Sequence, residues 1–264
     1  MTTFHSKPAD QPEIIQFGCL KDNYSSLLHD PATGCTAVVD TPDADEIMHQ
    51  LDKQGWHLTH ILTTHHHWDH IDGHEQLKKH YDCQIIAPAL NRDQIPAIDQ
   101  TVSNGDQIQV GEISIEVLAT PGHTLGHVAY YVPALSAVFV GDTLFAMGCG
   151  RLFEGTPQQM WQSIQVLRAL PDQTAIYCGH EYTLNNAQFA LSLEPDNSAL
   201  QQRVKEVESL RASGLPTIPT SVIQERQTNP FMRADIPRIQ QRVGMPGASA
   251  SKVFAEIRRR KDQS

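Results

Sequence analysis

The segment THHHWDH, at residues 64–70, places four histidines and one aspartate in seven positions. In an extended chain successive side chains alternate between two faces, so we expect His65 and His67 to point to one side and His66 to the other. Chance clustering in a chain with 14 histidines is the alternative, but so dense a group favours a metal site. The alternation predicts that His66 does not contribute a ligand.

Asp69 and His70 follow at the point where the chain is expected to enter a helix that begins near Ile71. A turn at this point allows both side chains to swing back toward the cavity faced by the first histidines. Mixed imidazole and carboxylate ligands suit zinc, iron or manganese rather than a thiolate cluster. The segment by itself predicts a hydrolytic metal site.

Three further candidates stand at the ends of other predicted strands. His123 follows VLATPG, Asp142 follows AVFVG and His180 follows AIYCG. Functional side chains commonly occupy loops that a rigid scaffold positions, and each of these segments runs into a glycine-containing loop. Taken singly, the histidines could be turn residues and Asp142 a helix cap, but together with residues 64–70 they indicate one composite site.

The elements that must position these residues are of two kinds. From Glu13 to about Tyr177, short apolar and β-branched segments alternate with helical stretches, which predicts an α/β domain with many strands. After His180 the pattern is helical, and residues 215–246, rich in Pro, Thr and Gly, are expected to loop across a surface. We expect a domain boundary between residues 171 and 179. The predicted helices are DADEIMHQLDKQG, GHEQLKKHY, TPQQMWQSIQVLRALP, residues 185–193, SALQQRVKEVESLRAS and SASKVFAEIRRRKD.

Composition narrows the class of protein. With 30 acidic and 20 basic residues the net charge is -10, which disfavours nucleic acid and anionic lipid as partners. Continuous apolar runs long enough to cross a membrane are absent from the sequence. The five cysteines show no C-x-x-C spacing and are expected to be buried or free thiols. Residues 1–12 lack the pattern of a secretory signal, so we expect a disordered extension and a cytoplasmic protein.

The motifs THHHWDH, TPGHTLGH, GDTLF and CGHEYT resemble those of the metallo-β-lactamase superfamily. The segments DNY, GCGRLFEG, NPFMR and the tail RRRKDQ narrow the resemblance, which covers nearly the whole chain, to the glyoxalase II (hydroxyacylglutathione hydrolase) family. The resemblance implies a four-layer αββα sandwich as a catalytic domain at 13–175. A small all-helical, substrate-binding domain would follow at 176–264.

The resemblance also implies roles for individual residues. Two divalent metal ions are implied, zinc first, with iron or manganese as alternatives. Asp69 and Asp142 are the implied catalytic residues, and Asp142 would bridge the two ions. Asp40 would support a ligand from behind, although a turn or helix-capping aspartate is the alternative. The implied ligands are His65, His67 and His123 for one ion, and Asp69, His70 and His180 for the other.

The implied reaction is hydrolysis of S-D-lactoylglutathione, and of related S-2-hydroxyacylglutathiones, to the hydroxy acid and glutathione. A metal-bridging hydroxide would attack the thioester, since coordination brings the pKa of water near neutrality and a thiolate leaves readily. This is the second step of methylglyoxal detoxification. The expected partner is therefore a small molecule, and the protein is expected to act as a monomer.

Glutathione is anionic, so an acidic protein must offset its own charge where the tripeptide binds. The resemblance implies that Arg258 and Lys261 bind the glycine carboxylate, and a solvated helix C-terminus is the alternative. Some members of the family have Lys and Tyr where this chain has Arg151 and Phe153, so a phenolic contact is expected to be missing. The implied substrate-binding residues are Arg151, Phe153, His180, Tyr182, Arg258 and Lys261.

Four other functions compete with this interpretation. A mononuclear iron sulfur dioxygenase of the same superfamily shares much of the metal motif but not the helical tail. A β-lactamase or a metal-dependent nuclease is disfavoured by the tail and by the net charge, respectively. A metal-stabilised binding module is disfavoured because the bridging position stays open for chemistry.

Overall fold

Two six-stranded β-sheets form the centre of the molecule in the computed structural model, which describes residues 11–264. Of the extension expected at 1–12, residues 1–10 lie outside the described part. The first sheet consists of β1 (Glu13–Cys19), β2 (Asn23–Asp30), β3 (Cys35–Val39), β4 (His60–Leu62), β5 (Gln84–Pro88) and β6 (Gln100–Val102). Further strands are β7 (Gln107–Val110), β8 (Ile113–Ala119), β9 (Val128–Val132), β10 (Ala137–Gly141), β11 (Leu144–Phe145), β12 (Gly148–Cys149), β13 (Ala175–Cys178) and β14 (Thr220–Ser221).

The first sheet follows chain order, with β1, β2 and β3 antiparallel and β3 to β6 parallel. The second sheet has the order β14-β13-β10-β9-β8-β7, in which only β10 and β13 run parallel. Strands β11 and β12 form a separate two-stranded ribbon. The parallel pairs bring the ends of several strands to the same edges, where loops can meet.

The helices are α1 (Ala44–Gln54), α2 (Trp68–Ile71), α3 (His74–Tyr81), α4 (Pro157–Arg168), α5 (Thr183–Leu193), α6 (Ser198–Ala212), α7 (Val222–Thr228), α8 (Pro237–Arg242) and α9 (Ala250–Asp262). Local chemistry sets several of their ends. The Asp43 side chain accepts bonds from two backbone N–H groups at the start of α1, and Thr156 with Gln159 forms a capping box at α4. Among the described residues no helix is long and apolar enough to cross a membrane.

Apolar side chains fill the space between the sheets and cover both outer faces. In β7 and β8 buried and exposed residues alternate, as a sheet with one face toward a core requires. Ile47 of α1 and Leu77 of α3 cover the outer face of the first sheet, while Ile164 of α4 and Phe254 of α9 cover that of the second. This order of layers confirms the predicted αββα sandwich.

The helical C-terminal region is confirmed as well, but it shares its core with the sandwich. Phe254 and Ile257 of α9 belong to the same buried cluster as Ile176 of β13. Ala187 of α5 and Val204 of α6 form a smaller cluster of their own. The last helix is thus anchored to the second sheet and to α4, whose Trp161 ring centre lies 6.2 Å from that of Phe254.

The expectation of a surface loop at residues 215–246 is wrong. This stretch contains β14, α7 and α8, and Phe231, Met232 and Ile239 are fully buried. Two of the prolines that suggested a loop begin helical turns instead: Pro230 opens a short 3-10 turn, and Pro237 opens α8, where its missing N–H is no loss. The strand pattern therefore does not stop at His180.

Two smaller expectations also differ from the structure. The helix expected near Ile71 begins at Trp68, so Asp69 and His70 lie within α2 rather than before it. Strand β13 crosses the expected division between residues 175 and 176 and pairs with β10 of the second sheet. The division into two domains remains a prediction, and the strand favours a boundary a few residues later.

Candidate metal and substrate site

Loops that follow β4, β8, β10 and β13 bring the predicted ligands together. Nδ1 of His67 lies 3.1 Å from Nε2 of His65 and 3.0 Å from Nε2 of His123. These three ring nitrogens form one group with mutual distances within 4.8 Å, the spacing that a single ion would need. This group contains the residues expected for the first ion.

Ligand atoms of Asp69, His70 and His180 form a second group within the same 4.8 Å limit. Oδ2 of Asp69 lies 3.8 Å from Nε2 of His70 and 3.4 Å from Nε2 of His180. Asn23 holds Asp69 in place, since its Nδ2 donates to the backbone carbonyl and to the carboxylate of Asp69, each at 3.1 Å. The helical position of Asp69 thus still directs its carboxylate into the site.

The Asp142 carboxylate lies between the two groups. Its Oδ2 is 3.6 Å from Nε2 of His123 and 3.3 Å from Nε2 of His180. Its Oδ1 is 3.5 Å from Nε2 of His70, and these two atoms are buried without a hydrogen-bond partner. Buried polar atoms are rarely left unpaired, so a pair of this kind fits bound cations.

Asp40 stands behind the site rather than in it, although its carboxylate also lies near His65 and His70. Its oxygens already accept bonds from the Thr64 backbone N–H and hydroxyl, each at 2.8 Å, and Oδ2 lies 2.8 Å from Nδ1 of His70. The cap of α1 is Asp43, which removes the capping alternative for Asp40. Asp40 therefore orients His70 and leaves its Nε2 for the site.

The other ring nitrogens are held in a similar way. Nδ1 of His65 lies 3.0 Å from Oγ1 of Thr64. Nδ1 of His123 lies 2.8 Å from the carbonyl oxygen of Arg151, and Nδ1 of His180 lies 3.0 Å from Oδ1 of Asp22. Sequence reasoning did not identify Asp22, Asn23 or Thr64 as site residues. The DNY segment was part of the family resemblance, and this was the available signal.

His66 lies apart from both groups. Its Nδ1 accepts a bond from Asn91 Nδ2 at 3.0 Å, and its Nε2 is 3.4 Å from Glu154 Oε1. The opposite orientation of His66 follows the alternation expected from the sequence.

Burial and neighbouring charges set the protonation states of the candidate ligands. Burial lowers the pKa of His65 and His123, and lowers that of His67 to about 4, so these rings are neutral near pH 7. Burial opposes ionisation of Asp142, but His180 and His70 hold its pKa well below the usual range. At His70, burial is outweighed by Asp142 and Asp40, which raise its pKa to about 9. Cation binding at this ring is therefore coupled to proton release.

One cavity of about 570 Å³ extends from the site to the basic tail. Its wall includes His123 and Asp142 at one end and Arg258 and Lys261 at the other. Phe153 is 63% exposed, and its ring centre is 5.2 Å from that of His123. The remaining lining residues are Phe145, Cys149, Gly150, Arg151, Tyr182, Asn185, Asn186, Asp262 and Ser264.

The cavity brings together all of the expected substrate-binding residues except His180, which adjoins it through Tyr182. The rings of His180 and Tyr182 are stacked with centres 4.7 Å apart. Nζ of Lys261 contacts the side chain of Asn185, a residue that sequence reasoning missed. Arg258 is buried, and its Nη1 donates to the Cys149 carbonyl at 2.8 Å.

The αββα sandwich, together with the two adjacent groups of ligand atoms, places the chain in a superfamily of metal-dependent enzymes. A family model described as Metallo-beta-lactamase superfamily matches residues 22–180, and one described as Hydroxyacylglutathione hydrolase C-terminus matches residues 181–264. In the crystal structure of ETHE1 from Myxococcus xanthus, the similarity covers 94% of this chain and 90% of that chain, with a TM-score of 0.68 and 25% identity.

Closer relatives narrow the class. The hydroxyacylglutathione hydrolase of Rhodopseudomonas palustris is 54% identical over 92% of this chain and 96% of its own length. That of Maricaulis maris is 53% identical over 94% of this chain and 97% of its own length. The chain belongs to the hydroxyacylglutathione hydrolases, and it is an enzyme of the hydrolase class. The C-terminal match favours this family over the dioxygenase, lactamase and nuclease alternatives.

The position of Asp142 between both groups predicts different metal losses for different variants. We expect Asp142→Ala to lower the metal content at both positions, whereas His180→Ala affects mainly one. Elemental analysis of the metal-loaded, purified variants, expressed per chain, measures the difference. His66→Ala is the matched control and should keep the wild-type content; a loss of metal in this control would contradict the orientation assigned to His66.

Proposed function

We propose that the chain hydrolyses S-D-lactoylglutathione, and related S-2-hydroxyacylglutathiones, to the hydroxy acid and glutathione, as the second step of methylglyoxal detoxification. The observation that carries the proposal is the cavity that joins Asp142 to Arg258 and Lys261. A thioester of an anionic peptide needs both ends of this cavity, a hydrolytic centre and a carboxylate site. The relatives, which are named hydroxyacylglutathione hydrolases, support the same activity.

The ligand roles are proposed as the resemblance implies them. Asp142 would contact both ions and Asp69 the second ion, which makes these two carboxylates the proposed catalytic residues. Two bound divalent ions supply Lewis acidity and activate water at neutral pH. The proposed ligands are His65, His67 and His123 for the first ion, and Asp69, His70 and His180 for the second.

We propose zinc for both positions, with iron or manganese as the alternatives. Neutral imidazoles and carboxylates bind all three metals, so the donor set does not separate them. None of the five cysteines belongs to the ligand groups among the described residues, which is consistent with this choice.

Tyr182 and Phe153 line the part of the cavity that would hold the tripeptide of the substrate. Burial, with the carboxylates of Asp22 and Asp142, raises the pKa of Tyr182. Its hydroxyl therefore stays protonated near pH 7 and can donate a hydrogen bond to the tripeptide. The wall formed by Phe153 is apolar, so contact with the peptide there depends on the backbone and on packing rather than on a phenol.

The cationic end of the cavity is proposed to bind the glycine carboxylate. Arg258 and Lys261 extend from α9, and Arg151 lines the same cavity. Charge-assisted bonds from such groups to a carboxylate are about twice as strong as neutral ones. These cations offset the net charge of -10 where an anionic substrate must enter.

The cysteines and the net charge bear on the cellular context. All five cysteines are free, as expected in a reducing compartment, and we propose that the protein is cytoplasmic. We also propose a monomer without nucleic acid or membrane partners, for which the acidic surface is the support. We place the boundary between catalytic and substrate-binding domains after His180, where the two family matches meet.

The direct test of the activity is hydrolysis of the thioester. Metal-loaded protein should remove the thioester absorbance of S-D-lactoylglutathione and release D-lactate and glutathione in equal amounts, measured by a thiol reagent and by chiral analysis. The Asp142→Ala variant is the inactive control. Persistence of the thioester with protein that carries its metals would refute the proposed function.

A pH dependence is expected at Lys261. Burial and the charges of Arg258 and Arg151 lower the pKa of Lys261 to about 8. Because a lysine is charged below its pKa, substrate affinity should fall as pH rises through this value, and KM should rise. Measuring KM on both sides of this pH checks the expectation.

Lys261→Arg provides the matched control, since arginine keeps its charge throughout this range. The ratio of wild-type KM to variant KM should therefore increase across the interval. A constant ratio would show that Lys261 does not bind the substrate through its charge.

A further inference from the structure

The guanidinium of Arg258 already contacts a carboxylate within the substrate cavity. Nε and Nη2 of Arg258 lie 3.1 Å and 2.9 Å, respectively, from Oδ1 of Asp262, one helical turn further along α9. Asp262 itself lines the cavity. The donors that would face a substrate carboxylate are thus engaged by a carboxylate of the chain.

Arg258 does not depend on this contact for its position. Its third donor group, Nη1, bonds the Cys149 carbonyl at 2.8 Å, and the guanidinium lies over the ring of Phe231 at 5.2 Å. The Arg258 side chain is 7% exposed, whereas that of Asp262 is 44% exposed. Arg258 is therefore held in place by Cys149 and Phe231, and Asp262 is the partner whose side chain can rotate into solvent.

The contact between Arg258 and Asp262 also contributes little to the stability of helix α9. Asp262 is the last residue of α9, and a carboxylate at a helix C-terminus is unfavourable with the helix dipole. A cation that precedes an anion by four residues is the weaker order for such a pair. Helix stability alone therefore does not account for an aspartate at this position.

The charges that line the cavity indicate that Asp262 affects ligand binding rather than helix stability. The lining includes three cationic side chains, of Arg151, Arg258 and Lys261, and two side-chain carboxylates. One of these, Asp142, lies at the ligand groups, so Asp262 is the acidic side chain among the described lining residues at the basic end. Without it, this end would attract any anionic ligand more strongly.

We propose that Asp262 sets the affinity of this carboxylate site: its carboxylate occupies the fork of Arg258 in place of the substrate carboxylate and is displaced by it. The inference rests on the proposed function, since it concerns the same carboxylate site. Asp262 weakens the binding of the glutathione moiety in substrate and product alike. It thereby favours release of glutathione after the thioester is cleaved.

The test is the isosteric, uncharged variant Asp262→Asn. KM for S-D-lactoylglutathione should fall about two- to fivefold, with a smaller change in kcat, as expected for removal of one half-exposed charge pair. The inhibition constant of glutathione should fall by the same factor. A thioester in which the glycine carboxylate is amidated should show no such change in KM.

Asp235→Asn is the matched control. Asp235 pairs with Arg168 at 2.7 Å and is 40% exposed, but it does not line the cavity. This variant should keep the wild-type KM for both substrates. Thermal unfolding of both variants verifies that each is folded.

Three results would overturn the proposal: an unchanged KM, a raised KM, or an equal fall for the amidated substrate. A raised KM would mean that Asp262 positions Arg258, and an equal fall would mean that the glycine carboxylate is not involved. Calorimetric titration with glutathione gives a readout that needs no catalysis. If wild-type protein binds glutathione but cleaves no thioester, the proposed function fails while the role of Asp262 is still measured.

Discussion

The buried carboxylate of Asp142 is the interaction on which the arrangement of the site depends. Burying an ionised carboxylate is costly unless charges and hydrogen bonds compensate for it. Here the compensation comes from imidazoles on helix α2 and on two loops, with the nitrogens of His70, His123 and His180 at 3.3 to 3.6 Å. The backbone N–H of Asp142 donates to Nε2 of His127 at 3.1 Å. One side chain thus connects the ends of both sheets.

Two glycines allow the strands to approach this carboxylate closely. Gly141 has a φ of 45°, and a Cβ there would lie 2.4 Å from Oγ1 of Thr64. A Cβ at Gly179 would lie 2.4 Å from Oδ1 of Asp142. The parallel pairing of β10 and β13 places both glycines at one edge, and a larger residue would displace Thr64 at the first position or Asp142 and His70 at the second. Backbone space is therefore as necessary to the site as the ligands are.

The sequence predicted the layers, and it predicted that the candidate ligands lie together, because both follow from local patterns; that these residues bind metal stays a prediction. Alternation in residues 64–67 separated His66 from its neighbours, and the glycine loops after apolar strands located His123, Asp142 and His180. Asp22 and Asn23 were not predicted, since their roles depend on contacts between distant residues: Asp22 with His180, 158 positions apart, and Asn23 with Asp69, 46 positions apart. Residues 215–246 were misassigned because proline content does not reveal that a helical turn will be buried.

The position of the basic tail follows from the shared core rather than from the tail's own sequence. Helix α9 contributes Phe254 and Ile257 to the cluster that covers the second sheet, and Arg258 reaches Cys149 of β12 across 109 residues. The cations at that end are consequently held by the same packing that fixes the strand ends bearing the ligands. The two ends of the cavity lie on different segments of the chain: Arg258 and Lys261 on α9, and His123 and Asp142 on loops after the strands. A substitution in α9 can therefore change the affinity for the peptide while the geometry of the hydrolytic centre stays the same.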